Sequence, residues 1–160
     1  MRAVGTLDQA VALARALQRD GKRVVFTNGV FDLLHPGHVR YLQAARAEGD
    51  ALIVAVNSDR SVRANKGPER PVLPEQERAE ILAALAAVDL TFVFDEDTPA
   101  RVIEAIQPDV LVKGADWARD EIVGRDVVEA RGGRVVRAHL AEGYSTSRMV
   151  EKIRALPKKP

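Results

Sequence analysis

The sequence predicts an α/β protein with a doubly wound, mainly parallel five-stranded sheet and helices on both faces. Three observations predict it. Short apolar, β-branched runs alternate along the chain with alanine- and leucine-rich stretches of helical character, the pattern of strand–helix–strand units with right-handed crossovers. ALIVAVN, 51 to 57, is apolar almost throughout, as in a strand buried on both faces. Segments rich in glycine, proline and hydroxyl side chains follow several of the strand-like runs, where loops lead into helix N-termini.

Each element has its own signal. Thr6 with Gln9 three residues on is a capping box that opens an alanine-rich helix ending near Gly21. RVVFTN, 23 to 28, is the first strand, and a helix runs from Pro36 to Glu48 with Gly49 as its stop. After the strand 51 to 57, the polar stretch SDRSVRANKGPERPVLP is expected to be a loop leading to a helix over about 75 to 87. LTFVF, 90 to 94, is the third strand, and Thr98 with Pro99 reads as a cap followed by proline at the first helical position. That helix must stop before Pro108. DVLVK, 109 to 113, is the fourth strand; a helix ending at Gly132 and Gly133 precedes RVVRAHL, 134 to 140; and a last helix covers about 146 to 155. With no linker, repeat or low-complexity tract, the expectation is one domain over 1 to 160.

Composition narrows the function. At 160 residues, 46% hydrophobic and 29% charged, the chain can bury one full core. Lys and Arg number 24 against 23 Asp and Glu, a net charge of +1, so no whole-molecule field gathers nucleic acid or an anionic membrane. Any anionic ligand must be held by local groups. Cysteine is absent, which excludes disulfides and thiolate chemistry. No apolar run reaches the ~18 residues of a membrane span, and MRAVGTLDQA lacks the order of a signal peptide. A cytoplasmic location is expected.

TNGVFDLLHPGH, 27 to 38, concentrates two of the three histidines directly after a strand. Pro36 suits the first turn of a helix, which places His35 beside the N-cap. Gly29 and Gly37 allow close backbone approach, and free N–H groups with the helix dipole favour an anion. His35 and His38 would donate hydrogen bonds to that anion, an arrangement suited to a polyphosphate. Zinc fits poorly, with no cysteine and no third ligand at the usual spacing, and no metal ligand is assigned. Ligands of open parallel sheets lie beyond the strand carboxyl ends, where the loop 57 to 74, KGADW at 113 to 117 and EGYSTS at 142 to 147 also fall.

GVFDLLHPGH resembles the signature of the HxGH nucleotidyltransferases, the cytidylyltransferase-like superfamily, whose fold is Rossmann-like. NSD at 57 to 59, NKGPERPVLPEQER at 65 to 78, DEDTPARVIEAIQPDVLVKGADW at 95 to 117 and EGYSTS are similar to the adenylyltransferase domain that makes ADP-heptose from heptose 1-phosphate. The resemblance runs from about Arg23 to Leu156. In that family the domain is fused to a sugar kinase or stands alone, and no kinase segment is present in this sequence.

The resemblance implies attack by a sugar 1-phosphate oxygen on the α-phosphate of ATP, with release of pyrophosphate. A phosphate monoester has its second pKa near ~6, so the nucleophile is already an anion and needs no general base. That accounts for the lack of a paired-carboxylate or Ser-His-Asp motif. Catalysis then consists of holding two anions together and stabilising an in-line transition state. His35 and His38 donate to the triphosphate, and Lys66, beside Gly67, bridges the reacting phosphates. These three are the expected catalytic residues. Asn28, Gly29 and Gly37 line the phosphate turn, with backbone N–H groups of Val30 and Phe31 on the phosphates. Asp32 orders the turn, orders a Mg²⁺ water shell, or is a plain structural cap. Lys113, Gly114 and Asp116 border base and ribose. Gly143, Ser145, Thr146 and Ser147 form a second phosphate-accepting helix start, at which ordinary capping needs one hydroxyl, expected to be Ser145.

Departures from the family pattern bear on substrate. The family's EGxSTT has Ser147 in place of threonine, and KGGDY has Ala115 and Trp117, the latter either stacking on ligand or packing. Arg63, Arg70 and Arg78 are weaker candidates, since such arginines commonly remain solvated; Arg78 could instead hold the loop. His139 is left out of the site. Glycerol-phosphate cytidylyltransferases carry an arginine shortly before the last motif, where this chain has Leu140 and Ala141. The competing possibilities are a cytidylyltransferase acting on glycerol 3-phosphate or a related phosphate, and a non-catalytic nucleotide-sensing module. Aminoacyl-tRNA synthetase relatives are excluded by size and by the lack of a KMSKS-like loop. Mg²⁺ accompanies ATP, a homodimer is plausible from the resemblance, and neither nucleic acid nor membrane is an expected partner.

Overall fold

A computed structural model describes residues 3–159. All strands are parallel, in the order β1 (Ala3–Val4), β4 (Leu90–Phe94), β3 (Ala51–Asn57), β2 (Val24–Gly29), β5 (Val110–Gly114), β6 (Arg134–Ala138). The five expected strands are present. A two-residue strand, β1, adds an edge beside β4, too short to leave a period in the sequence.

Two apolar layers sandwich the sheet. On one face α1 (Leu7–Arg19), α5 (Ala100–Ile106) and α6 (Arg125–Ala130) bury Ala10, Ala14, Val102, Ile103, Ile106 and Val128 against Phe26, Ile53 and Leu111. On the other, α2 (Pro36–Arg46) and α4 (Glu75–Ala83) bury Tyr41, Leu42, Ala45, Ala79 and Leu82 against Val25, Leu52 and Val54. Successive side chains of β3 point to opposite faces and both faces are covered, which is why 51 to 57 reads as an unbroken apolar run.

The strand order places the site. The chain winds outward from β2 through β3 to β4, then returns to lay β5 on the other side of β2, so the winding reverses between β2 and β5. Ligands of open α/β sheets bind at such a switch point. β2 and β5 pair only at Val25–Val110 and Phe26–Leu111. Beyond that, the Thr27 hydroxyl donates to the Val112 carbonyl at 2.9 Å and shares a 2.8 Å bond with the Tyr41 hydroxyl. Side chains thus replace the ladder where the crevice opens.

Several local expectations change. The polar stretch after β3 is a helix, α3 (Asp59–Lys66), with Ser58 accepting from the Ser61 N–H as its cap. Only Ser61 and Val62 of α3 are buried, so no apolar period betrays it. Thr98 is not the cap of α5: Pro99 holds that position and no side chain caps the helix. The Thr6–Gln9 capping box is present. α4 stops at Ala83 rather than 87, because the chain must turn so that Asp89 can accept the Leu52 N–H at 2.8 Å. A 3₁₀ turn, Arg119–Glu121, precedes α6, and α7 is Thr146–Arg154. Among the described residues no helix is long and apolar enough to cross a membrane.

Candidate active site

β2 ends at Gly29, and the backbone beyond it is contorted: Phe31 and Leu33 hold φ of 50° and 47°, a left-handed region that non-glycine residues rarely occupy. Such torsions persist only where surrounding structure imposes them. Here the Phe31 ring is buried against the α2–α4 layer, and a Cβ on Gly29 would lie 2.9 Å from that ring. The glycine is there to admit phenylalanine.

The turn ends in α2, whose cap is His35 itself rather than a residue beside it. His35 Nδ1 accepts the His38 N–H at 3.4 Å, which puts the His35 proton on Nε2. The two imidazoles stack with centroids 3.8 Å apart, and Tyr144 lies nearly parallel to His35 at 5.9 Å. A Cβ on Gly37 would meet both His35 and Tyr144 at about 3 Å. Burial lowers His35 from its ordinary pKa, and burial together with His35 pushes His38 down to about 4. Two cationic imidazoles cannot share this stack, so near neutral pH both rings are uncharged N–H donors.

Around them lies a cavity of about 410 Å³ at the switch point. Its wall includes thirteen of the fifteen expected residues: Asn28, Gly29, Val30, Phe31, His35, Gly37, His38, Lys66, Gly114, Asp116, Ser145, Thr146 and Ser147. Lys113 instead faces a neighbouring cavity of about 540 Å³, and Gly143 lines neither. Gly143 serves its loop through a φ of 84°. Lys113 donates to Asn28 Oδ1, and burial takes its amine down to about 8. Ser145 caps α7, accepting the Arg148 N–H at 3.1 Å. Thr146 donates to the Asp32 carbonyl at 2.5 Å and Ser147 accepts from Arg70 at 3.2 Å. One hydroxyl caps, and the other two tie α7 to the opposite wall.

Asp32 and Arg78 hold that wall. Asp32 is 2% exposed, and its carboxylate accepts the N–H groups of Val72 and Leu73 at 2.8 and 3.0 Å with Arg70 at 3.7 Å. Both of its oxygens therefore hold the loop. Arg78, expected to be solvated unless it held the loop, is 1% exposed. Its guanidinium donates to the carbonyls of Leu73, Val30 and Asn57 and pairs with Asp59 at 2.8 Å, joining three loops at one point. Arg63 and His139 are exposed. Arg70, Tyr41, Leu140, Ala141 and Tyr144 join the cavity wall; no motif spacing marks Tyr41, which lies one helical turn past His38 on α2. Among the described residues no group of three or more His, Cys, Asp or Glu is placed to hold a metal.

Comparison with known proteins gives a consistent result. A model of the cytidylyltransferase-like family matches residues 26–152. The chain is 54% identical over 151 residues to the bifunctional protein HldE of Gluconobacter oxydans (strain 621H), covering 94% of this chain and 32% of that protein. It is 56% identical to the bifunctional protein HldE of Geotalea uraniireducens (strain Rf4), covering 94% of this chain and 31% of that protein. The chain thus spans about a third of the length of these relatives. Among solved structures, the lipopolysaccharide core biosynthesis protein from Thermoplasma volcanium GSS1 superposes with a TM-score of 0.63 at 30% identity, over 78% of this chain and all of that one. The pantoate-beta-alanine ligase from Francisella tularensis, solved with beta-gamma ATP and beta-alanine, shares the fold at a TM-score of 0.60 and 16% identity, over 87% of this chain and 67% of that one.

Proposed function

The chain belongs to the cytidylyltransferase-like family of nucleotidyltransferases, and from that premise we propose that it transfers an adenylyl group from ATP to heptose 1-phosphate, giving ADP-heptose and pyrophosphate. The observation that carries the chemistry is the stacked pair His35 and His38 in a cavity shared with Lys66 and the α7 N-terminus. The choice of adenine and heptose rests on the loop resemblances described for the sequence.

In the proposed step an oxygen of the dianionic sugar phosphate forms a bond to the α-phosphorus, and the bond from that phosphorus to the bridging oxygen breaks. The electron pair leaves with pyrophosphate, and no proton need be removed from the nucleophile. Neutral His35 and His38 donate N–H bonds to oxygens that gain charge, while Lys66 supplies the fixed cation between two anions that would otherwise repel. Val30 and Phe31 N–H groups and the α7 start with Ser145, Thr146 and Ser147 complete the cradle; Gly114 and Asp116 border the nucleoside. Mg²⁺ would enter on the triphosphate. ATP as a substrate is consistent with the cytoplasm, and the homodimer is tested by light scattering of the purified chain.

The deciding experiment is pyrophosphate release across ATP, CTP, GTP and UTP, each with heptose 1-phosphate and with glycerol 3-phosphate. ATP with heptose 1-phosphate is the expected best pair. CTP with glycerol 3-phosphate would keep the histidine chemistry and overturn the substrate. Turnover of neither, with nucleotide still bound, would point to a sensing module.

A further inference from the structure

Rings, more than hydrogen bonds, hold the two imidazoles. His38 Nδ1 is buried and has no hydrogen-bond partner among the described residues, and the bond that His35 Nδ1 accepts from the His38 N–H is 3.4 Å long, beyond the usual range. A run of flat groups takes over. The Phe31 ring meets His38 edge-on at 5.6 Å, His38 stacks on His35 at 3.8 Å, Tyr144 lies nearly parallel to His35 at 5.9 Å, and the Arg40 guanidinium carbon is 5.4 Å from the centre of the Tyr144 ring. Neither Tyr144 nor Arg40 has a role in the adenylyl transfer itself, and the EGxSTT pattern leaves position 144 open. We propose that Tyr144, gripped by Arg40, is a positioning residue that fixes the plane of the His35 ring, so that its Nε2–H is aimed for transfer when the segment 142–145 is seated on the α2 N-terminus. The proposal rests on the adenylyl-transfer reading for the step that His35 serves.

Three observations converge on it. The first is room. A Cβ on Gly37 would lie 2.9 Å from the His35 ring and 3.0 Å from Tyr144 Cβ, so the segment reaches α2 only because position 37 is bare. The second is linkage. No residue of α7 is buried; its start is seated by the bonds of Thr146 to the Asp32 carbonyl and of Arg70 to Ser147, and Tyr144 stands directly before the cap, Ser145. One segment thus carries both the hydroxyls offered to phosphate and the ring beside His35. The third is the cation. Arg40 enters no ion pair among the described residues, which leaves its guanidinium to the ring face, and it sits on the helix that His35 caps. The charged groups around the stack are Arg40, Lys66 and Asp32; the two cations oppose protonation of His35, and the Asp32 carboxylate is taken up by the Val72 and Leu73 N–H groups. Tyr144 itself is 41% exposed, so it contributes little to the core.

The chain has three histidines, few enough for each ring to be followed by NMR as pH is varied. Burial holds His35 below its ordinary 6.5; Tyr144→Ala uncovers the ring and is expected to move its titration up toward that value, whereas Tyr144→Phe keeps the stack and is expected to leave it in place. In steady-state pyrophosphate release from ATP and heptose 1-phosphate, Tyr144→Ala is expected to lower kcat about tenfold with both KM values within about twofold. Tyr144→Phe is expected to recover the wild-type kcat, and Arg40→Met to lower it about threefold. Denaturant midpoints of all three variants are expected to stay at the wild-type value. A Tyr144→Ala chain that raises KM for ATP and keeps kcat would make the ring a nucleotide contact and overturn the proposal. An unchanged His35 titration, or a fall in the denaturant midpoint that matches the loss of kcat, would overturn it as well. A wild type that turns over no sugar phosphate, in which Tyr144→Ala still shifts the His35 titration, would remove the transferase reading and leave Tyr144 as the residue that sets the His35 ring.

Discussion

Burial lowers the Lys113 amine to about 8, and that shift is a stability cost. An unfolded lysine titrates near ~10.4, so between that value and about 8 the folded chain binds fewer protons than the unfolded one. Lysine's burial is therefore costless above pH ~10.4, increasingly destabilising as pH falls from there to about 8, and at its full, constant cost below that. Lys113→Met keeps the volume and removes the charge. At pH 7 it is expected to raise stability by about 1 kcal/mol, the gain reduced by the loss of the Asn28 partner, and to weaken turnover because Asn28 at the end of β2 is no longer held. Denaturant midpoints together with kcat check both halves. A stable but slow variant is the expected signature of a residue kept for its site. His38 offers the complementary case: His38→Ala removes one donor to the developing charge and is expected to lower kcat about 10²–10³-fold with little change in KM for ATP. In the wild type His38 is neutral down to about pH 4 and burial lowers His35 as well, so the acid limb of kcat/KM should follow the sugar phosphate near ~6.

At the scale of elements, the helix starts and loops that surround the crevice are tied by a few polar groups rather than by packing. Ser58 begins α3, Asp32 takes the two N–H groups of Val72 and Leu73, and Arg78 reaches Val30, Asn57, Leu73 and Asp59. Arg78→Met fills much of the same space but leaves three carbonyls without a donor. The expected cost is about 3–5 kcal/mol, with proteolytic nicking of the loop around Gly67 to Leu73 before global unfolding. Asp32→Asn keeps one acceptor and should cost about 1–2 kcal/mol, while raising KM for ATP because Arg70 and Lys66 lose a fixed loop. These ties explain what the sequence hid. A guanidinium's burial leaves no periodic trace, so the sequence offers Arg78 as a holder of the loop only as the alternative to a solvated arginine, and the alternative is the one the structure shows. α3 was concealed for the same reason, since its contacts are caps and not an apolar stripe. The Thr98–Pro99 pair carried the signal of a cap without its geometry. By contrast, the Thr6–Gln9 box and the Ser145 cap were legible because capping is a local interaction complete within four residues.

At the scale of the whole molecule, the parallel sheet was legible because two-sided burial writes itself into strands as continuous apolar runs, and the crossovers then leave little freedom. The strand order was not, since reversal of winding between β2 and β5 is a non-local choice, and with it went the division of the crevice into two cavities and the assignment of Lys113 to the second. Global stability should carry the imprint of the site as well. His38 titrates at about 4 in the folded chain against an ordinary value of 6.5, so between those values the unfolded chain binds the extra proton. Its contribution is intact above pH 6.5 and is lost as pH falls toward 4. His35, lowered by burial too, acts in the same direction. Denaturant unfolding of wild type and His38→Gln at pH 7 and at pH 4.5 isolates the effect, because the exposed carboxylates Asp95 and Glu69 are common to both proteins and cancel. After allowance for partial exposure of the ring, the wild type should lose about 2 kcal/mol more than the variant over that interval. Equal losses would mean that His38 titrates near its ordinary value and is not held neutral by the stack, which would also remove the ground for treating it as an uncharged donor.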